Sequence, residues 1–115
     1  MSDVTWITKH FNDLSVNELY KILQLRSMVF VVEQQLLYLD MDNKDKIAYH
    51  TLGLLDDGEL VATTRLFAVN DSYEGYQSIG RVCSNLKYRN RGYGKALMAY
   101  SINECERLFL SLIHI

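Results

Sequence analysis

Apolar and polar positions alternate over Val4–Lys9, with Trp6 and Thr8 on one side and Ile7 on the other, which predicts an opening strand. Ser15-Val16-Asn17-Glu18 follows. This is a capping box, in which the Ser15 hydroxyl accepts from the third helical amide while Glu18 reaches back to the cap amide. Apolar residues then recur at Leu19, Ile22, Leu23, Val29 and Phe30, predicting a helix that runs towards Glu33. Its far end is weakened by the β-branched run Val29–Val32. Leu36–Ala48, with Asp40, Asp42, Asn43, Lys44, Asp45 and Lys46, reads as a loop.

A hairpin is predicted next. Tyr49–Leu55 is strand-like, Asp56-Asp57-Gly58 supplies the turn, and Glu59–Val69 returns. Asn70–Gln77 is a polar loop, Ser78–Ser84 a short strand, and Asn85–Arg91 leads into Gly92-Tyr93-Gly94. From Lys95 onward, Leu97, Met98, Ser101, Ile102, Cys105, Leu108 and Phe109 recur at three and four residues, one buried stripe of a helix. The order strand, helix, three strands, helix predicts an α/β (α+β) fold: a mixed sheet with antiparallel hairpins before one helical crossover.

A length of 115 residues, 49% of them hydrophobic and 23% charged, suits one small domain. Two domains would each be too small to bury a core. No apolar run reaches the roughly eighteen residues of a membrane span, and Met1–Trp6 lacks the basic-then-apolar pattern of a secretory signal. Two cysteines, Cys83 and Cys105, form neither a disulfide framework nor a zinc set, so the expected compartment is the reducing cytoplasm. The net charge of -2, with eight tyrosines but no basic surface, argues against a nucleic-acid platform and confines any phosphate recognition to a local cluster. No metal site is expected. Asp40–Asp45 has the opening spacing of a calcium loop, but Asp45 stands where the glycine belongs and Thr51 where the bidentate glutamate belongs. A solvated turn is the expectation there.

The ending Leu110-Ser111-Leu112-Ile113-His114-Ile115 resembles the translation of a transposase adapter used in preparing sequencing libraries. Residues 110–115 are therefore expected to be non-native, residues 1–109 to form the domain, and the natural product to continue past Phe109. A real apolar strand is the other reading of the hexapeptide.

Arg89-Asn90-Arg91-Gly92-Tyr93-Gly94 lies between a predicted strand and a predicted helix. A helix start presents unpaired N–H groups and the positive end of the macrodipole, and glycines let the backbone approach an anion. Arg89, Arg91 and Lys95 add charge at the same place, so the segment reads as a pyrophosphate cradle. Neither a dinucleotide fingerprint with its distant acidic residue nor a Gly-Lys-Ser/Thr loop is present.

With Arg89-x-x-Gly92-x-Gly94 between strand and helix, the chain resembles the GNAT superfamily of N-acetyltransferases. Within it the chain is similar to the ElaA-like group, through Leu25-Arg26-Ser27-Met28-Val29-Phe30-Val31-Val32-Glu33-Gln34, Tyr38-x-Asp40-x-Asp42, His50-x-Leu52-Gly53, Arg65 and Gly80-Arg81-Val82. The resemblance implies a mixed, mostly antiparallel sheet flanked by helices, with C-terminal elements missing from this chain. It implies an acyltransferase moving an acetyl group from acetyl-CoA to a primary amine of a small molecule or protein.

Under that resemblance Arg89, Asn90, Arg91, Gly92, Tyr93, Gly94 and Lys95 would hold the diphosphate, and the pantetheine arm would lie along Val82, Cys83 and Ser84. A backbone N–H near Val82 or Cys83 would stabilise the oxyanion. The attacking amine must lose a proton, and Glu33 and His50 are the candidate bases. Arg65 and Arg81 either meet a substrate carboxylate or pair with acids. The tyrosine that protonates the departing thiolate in such enzymes has no counterpart in the segment present, so this chain by itself is expected to be an incomplete catalyst. A CoA-binding or interaction module without turnover is the alternative. An unpaired sheet edge would favour a homodimer.

Overall fold

The capping box is formed as expected, and the first helix is built upon it. In the computed structural model, which describes residues 4–110 (for Leu110 the backbone only), the Ser15 hydroxyl accepts from the Glu18 amide at 3.0 Å, and the Glu18 carboxylate accepts from the Ser15 amide at 2.8 Å. Helix α1 is Val16–Arg26. Glu18 also pairs with Lys9 at 2.9 Å, tying the helix start to the first strand. Beyond Arg26 the chain widens into a π turn over Ser27–Glu33, with Gln34 donating to the Val29 carbonyl. The helix towards Glu33 is thus present but not as α-helix throughout, and the change falls on the β-branched run. Crowded χ1 rotamers disfavour a tight helix there.

Four strands form one antiparallel sheet in chain order: β1 Thr5–His10, β2 Tyr49–Leu54, β3 Leu60–Phe67 and β4 Ser78–Ser84. Helix α2, Tyr93–Cys105, covers the face opposite α1 and begins two residues before the expected Lys95. A π turn, Glu106–Leu110, continues it. The expected foreign ending, 110–115, lies outside the described residues except for the backbone of Leu110.

Each sheet face has its own apolar layer. On one, Ile22, Leu25, Val29 and Phe30 pack on Leu52, Leu60 and Cys83, with Ile7 at the margin. On the other, Leu97 meets Val61, Ala62 and Trp6, and Cys105 and Phe109 meet Leu66. Ile7 and Trp6 therefore face opposite ways, as their alternation predicts. The α2 face also carries a buried hydroxyl chain, Thr51–Thr64 at 2.6 Å and Thr64–Ser101 at 2.9 Å, which satisfies three polar groups inside the layer.

The pairing of β3 with β4 is interrupted at one point. Gly80 opposes Arg65 and Cys83 opposes Thr63, leaving Arg81 and Val82 against Thr64 alone. This is a β-bulge, and Arg81 adopts a left-handed φ of +48° within it. Among the described residues the outer edge of β4 is unpaired.

Replacing Ser15 by Ala removes one half of the cap. Urea unfolding should show a loss of about 1 kcal/mol with no change in the slope of the transition.

Candidate acyl-donor site

Helix α2 starts where β4 has just ended, and the turn between them needs two backbone reversals. Asn90 has φ +68° and Gly92 φ +80°, and Gly92 is the cap of α2. The first helical hydrogen bond runs from the Ala96 amide to the Gly92 carbonyl. The amides of Gly94 and Lys95 therefore precede the helical ladder and are offered to an anion. A Cβ built on Gly94 would meet no atom within 4 Å, so the space before this turn is open.

That opening belongs to a cavity of about 190 Å3 between the end of β4, the π turn and α2, lined by Val29, Gln34, Val82, Cys83, Ser84, Arg89, Gly94 and Leu97. It brings the β4 triplet Val82-Cys83-Ser84 together with two residues of the glycine loop. A larger depression, about 560 Å3, runs along α1 past Lys21, Leu25, Met28 and Leu86 but includes none of residues 89–95. Arg91 lies on the Tyr88 ring, its guanidinium carbon 5.4 Å from the centroid, which holds a cation beside the loop. Burial pushes the Cys83 thiol up to about 12, so it is a packing group and not a thiolate nucleophile.

The two candidate bases stand in different places. Glu33, at the end of the π turn, forms a two-pronged pair with Arg89. One prong is Arg89 Nη2 to Glu33 Oε1 at 2.8 Å, and Arg89 Nη1 donates to Oε2. The hydrogen bonds from Arg89 hold the Glu33 carboxyl below its ordinary range. Arg89 also donates to the Ser84 carbonyl at 3.3 Å. Hence Glu33 reaches the cavity rim through Arg89.

His50 is 1% exposed on β2, two strands away from β4, and does not line the cavity. Its Nε2 lies 2.9 Å from the Asp45 carbonyl, and burial pushes its pKa down despite that hydrogen bond.

Arg65 and Arg81 pair with acids. With Arg26 from the last turn of α1 they meet Asp40, Asp42 and Asp45 in one network: Arg26–Asp40 3.0 Å, Arg26–Asp45 2.7 Å, Arg65–Asp42 2.7 Å, Arg65–Asp45 3.0 Å and Arg81–Asp40 2.9 Å. The expected solvated turn at Asp40–Asp45 is corrected by this. Asp40 and Asp45 are buried, because three arginines on the sheet and helix draw them in. The sequence reading missed the role of Arg26. Its position in the apolar stripe of α1, one residue after Leu25, was the available signal.

The architecture is an antiparallel sheet with a helix on each face, whose bulged fourth strand leads into a glycine-capped helix. The sequence profile of the acetyltransferase (GNAT) family matches residues 16–114. A UPF0039 protein of Synechocystis sp. is 38% identical over 110 residues, covering 96% of this chain and 71% of that protein. Among solved structures, an acyl-CoA N-acyltransferase from Pseudomonas aeruginosa is 40% identical with a TM-score of 0.86, covering 94% of this chain and 74% of that one. ElaA of Escherichia coli is 38% identical with a TM-score of 0.83, covering 92% and 72%. The chain belongs to the acetyltransferase (GNAT) family and is similar to ElaA within it.

The network sets an acid limit on the fold. For Asp45 burial raises the pKa, but the bonds to Arg26 and Arg65 outweigh it and the net shift is downward; Asp42 is lowered chiefly by its hydrogen bonds to Arg65. Carboxyls depressed in the folded state stabilise it above their unfolded pKa and lose that contribution as pH falls. His50, depressed by burial, acts in the same direction starting from its unfolded value of 6.5. The thermal midpoint should therefore begin to fall below about pH 6.5 and drop more steeply below about pH 4. Arg26→Met, which takes one arginine from each of two buried carboxylates and leaves Asp40 with Arg81 and Asp45 with Arg65, should cost about 3 kcal/mol in urea unfolding at neutral pH.

Proposed function

We propose that the chain binds acetyl-CoA and belongs to an enzyme that moves the acetyl group to a primary amine of a small molecule or protein. The observation that carries this reading is the cavity that joins the last residues of β4 to Arg89 and Gly94 at the entry of α2. In this reading the donor's diphosphate takes the amides of Gly94 and Lys95, with Arg89, Arg91 and Lys95 supplying charge and Asn90, Gly92 and Tyr93 shaping the turn. The pantetheine arm lies along Val82, Cys83 and Ser84, bonding their main chain as an added strand would.

Three tasks then remain for the reaction. The thioester carbonyl needs a donor where negative charge develops, and a backbone N–H of Val82 or Cys83, at or next to the bulge, is proposed to supply it. The amine must arrive neutral, and Glu33, paired with the cavity-lining Arg89, is the carboxylate proposed to take its proton directly or through water. His50 is proposed to serve the fold, since its Nε2 is engaged with the Asp45 carbonyl and its ring is enclosed.

A CoA-binding module without turnover is the second reading. It is favoured by one observation: the Glu33 carboxylate is engaged by Arg89 and not free to accept a proton.

Calorimetry with acetyl-CoA and CoA tests binding, and both should bind. Gly94→Asp places a carboxylate in the first turn of α2, where a Cβ meets no atom within 4 Å. It should weaken CoA binding by about 100-fold while leaving the circular-dichroism spectrum unchanged. Normal binding by that variant would remove the loop from the site. Thiol release from acetyl-CoA with a panel of primary amines, measured on a version extended past Phe109, separates the two readings: release identifies a transferase, and tight binding with no release identifies the module.

A further inference from the structure

Arg89 is placed between two anionic clients. Its guanidinium spends both terminal nitrogens on Glu33, 56 residues earlier in the chain, and one of them also reaches the Ser84 carbonyl. The same side chain lines the cavity that contains Gly94, and so faces the amides at the start of α2, where an anion is favoured. Guanidinium donors form a rigid planar fork, and a fork closed on one carboxylate cannot close on a phosphate as well. Each side chain of the pair is 31% exposed, so the contact is in reach of solvent, next to the cavity that Arg89 lines. An ion pair so exposed contributes little to stability and exchanges readily for another anion.

We infer that Glu33 and the diphosphate of the acyl donor compete for Arg89, so that donor binding releases the Glu33 carboxylate beside the cavity. This rests on the acyl-CoA reading of the site. Before the donor binds, Glu33 is a positioning residue, holding Arg89 across the end of β4. With the donor in place, the guanidinium turns to the phosphates and Glu33 becomes free to accept the proton of the incoming amine. The base is thereby withheld until there is a thioester to attack. Exchange of one two-pronged anion for another is nearly even in energy, so Glu33 tunes donor affinity without abolishing it. The competition also reconciles the two readings of the site, because an engaged Glu33 is then the resting form of a transferase.

A double-mutant cycle on CoA affinity, measured by calorimetry on the whole chain, tests the inference. Glu33→Gln should bind CoA about fivefold more tightly than the parent, because Arg89 no longer has a carboxylate to leave. Arg89→Ala should bind CoA more weakly. In the Arg89→Ala background, Glu33→Gln should change affinity little, since the residue competed for is gone. Simple charge repulsion by Glu33 would tighten binding equally in both backgrounds, and a tether that keeps the loop in shape would weaken it on substitution. Either outcome overturns the competition. Circular dichroism on the variants checks that the fold is kept. Failure of the parent chain to take up CoA would remove the acyl-CoA reading itself, and the competition with it.

Discussion

Three arginines and three aspartates, brought together where α1, β3 and β4 meet, hold the working end of this fold in place. Arg26 ends the helix, Arg65 sits mid-strand and Arg81 occupies the bulge, while the aspartates all come from the loop after the π turn. The charges balance, which is what allows so many to be buried together. The network holds that loop against the sheet. It also gives the left-handed Arg81 a fixed partner in Asp40, so a costly backbone conformation is retained at the bulge. Of the two readings of Arg65 and Arg81, the pairing with acids is the one the structure shows, with Asp40, Asp42 and Asp45 as partners.

The candidate site lies at the next step along the chain. Because β4 is bulged at Arg81–Val82 and then turns through two left-handed residues, its last residues and the start of α2 border one cavity. The π turn closes the third side. Its wider hydrogen-bond spacing keeps Val29 and Phe30 in the core, and at its end Glu33 meets Arg89. One local irregularity in each of three neighbouring elements therefore shapes the site, a pattern common where backbone must be presented to a ligand.

Much of the plan was legible in residue order. The β4 span Ser78–Ser84 and the capping box of α1 appear as read, and the α2 stripe holds for Leu97, Ser101, Cys105 and Phe109. Ile102, in the same stripe, is exposed, because it lies near the β4 edge, which has no further strand beside it among the described residues. The glycine turn into α2 was legible because a left-handed cap needs backbone freedom, a property of a short stretch. Arg26, Asp40 and Asp45 were not legible as a unit, since their contacts span 14 and 19 positions and depend on a loop folding back.

Periodicity, cap chemistry and glycine placement are local, so the order of elements, the two faces of the sheet and the glycine-relieved turn into α2 followed from the residues alone. Which charges neutralise one another was decided only by packing, because a buried arginine takes whichever carboxylates the fold brings to it. That is why His50 became a core residue, and why the Glu33 carboxylate is held by Arg89.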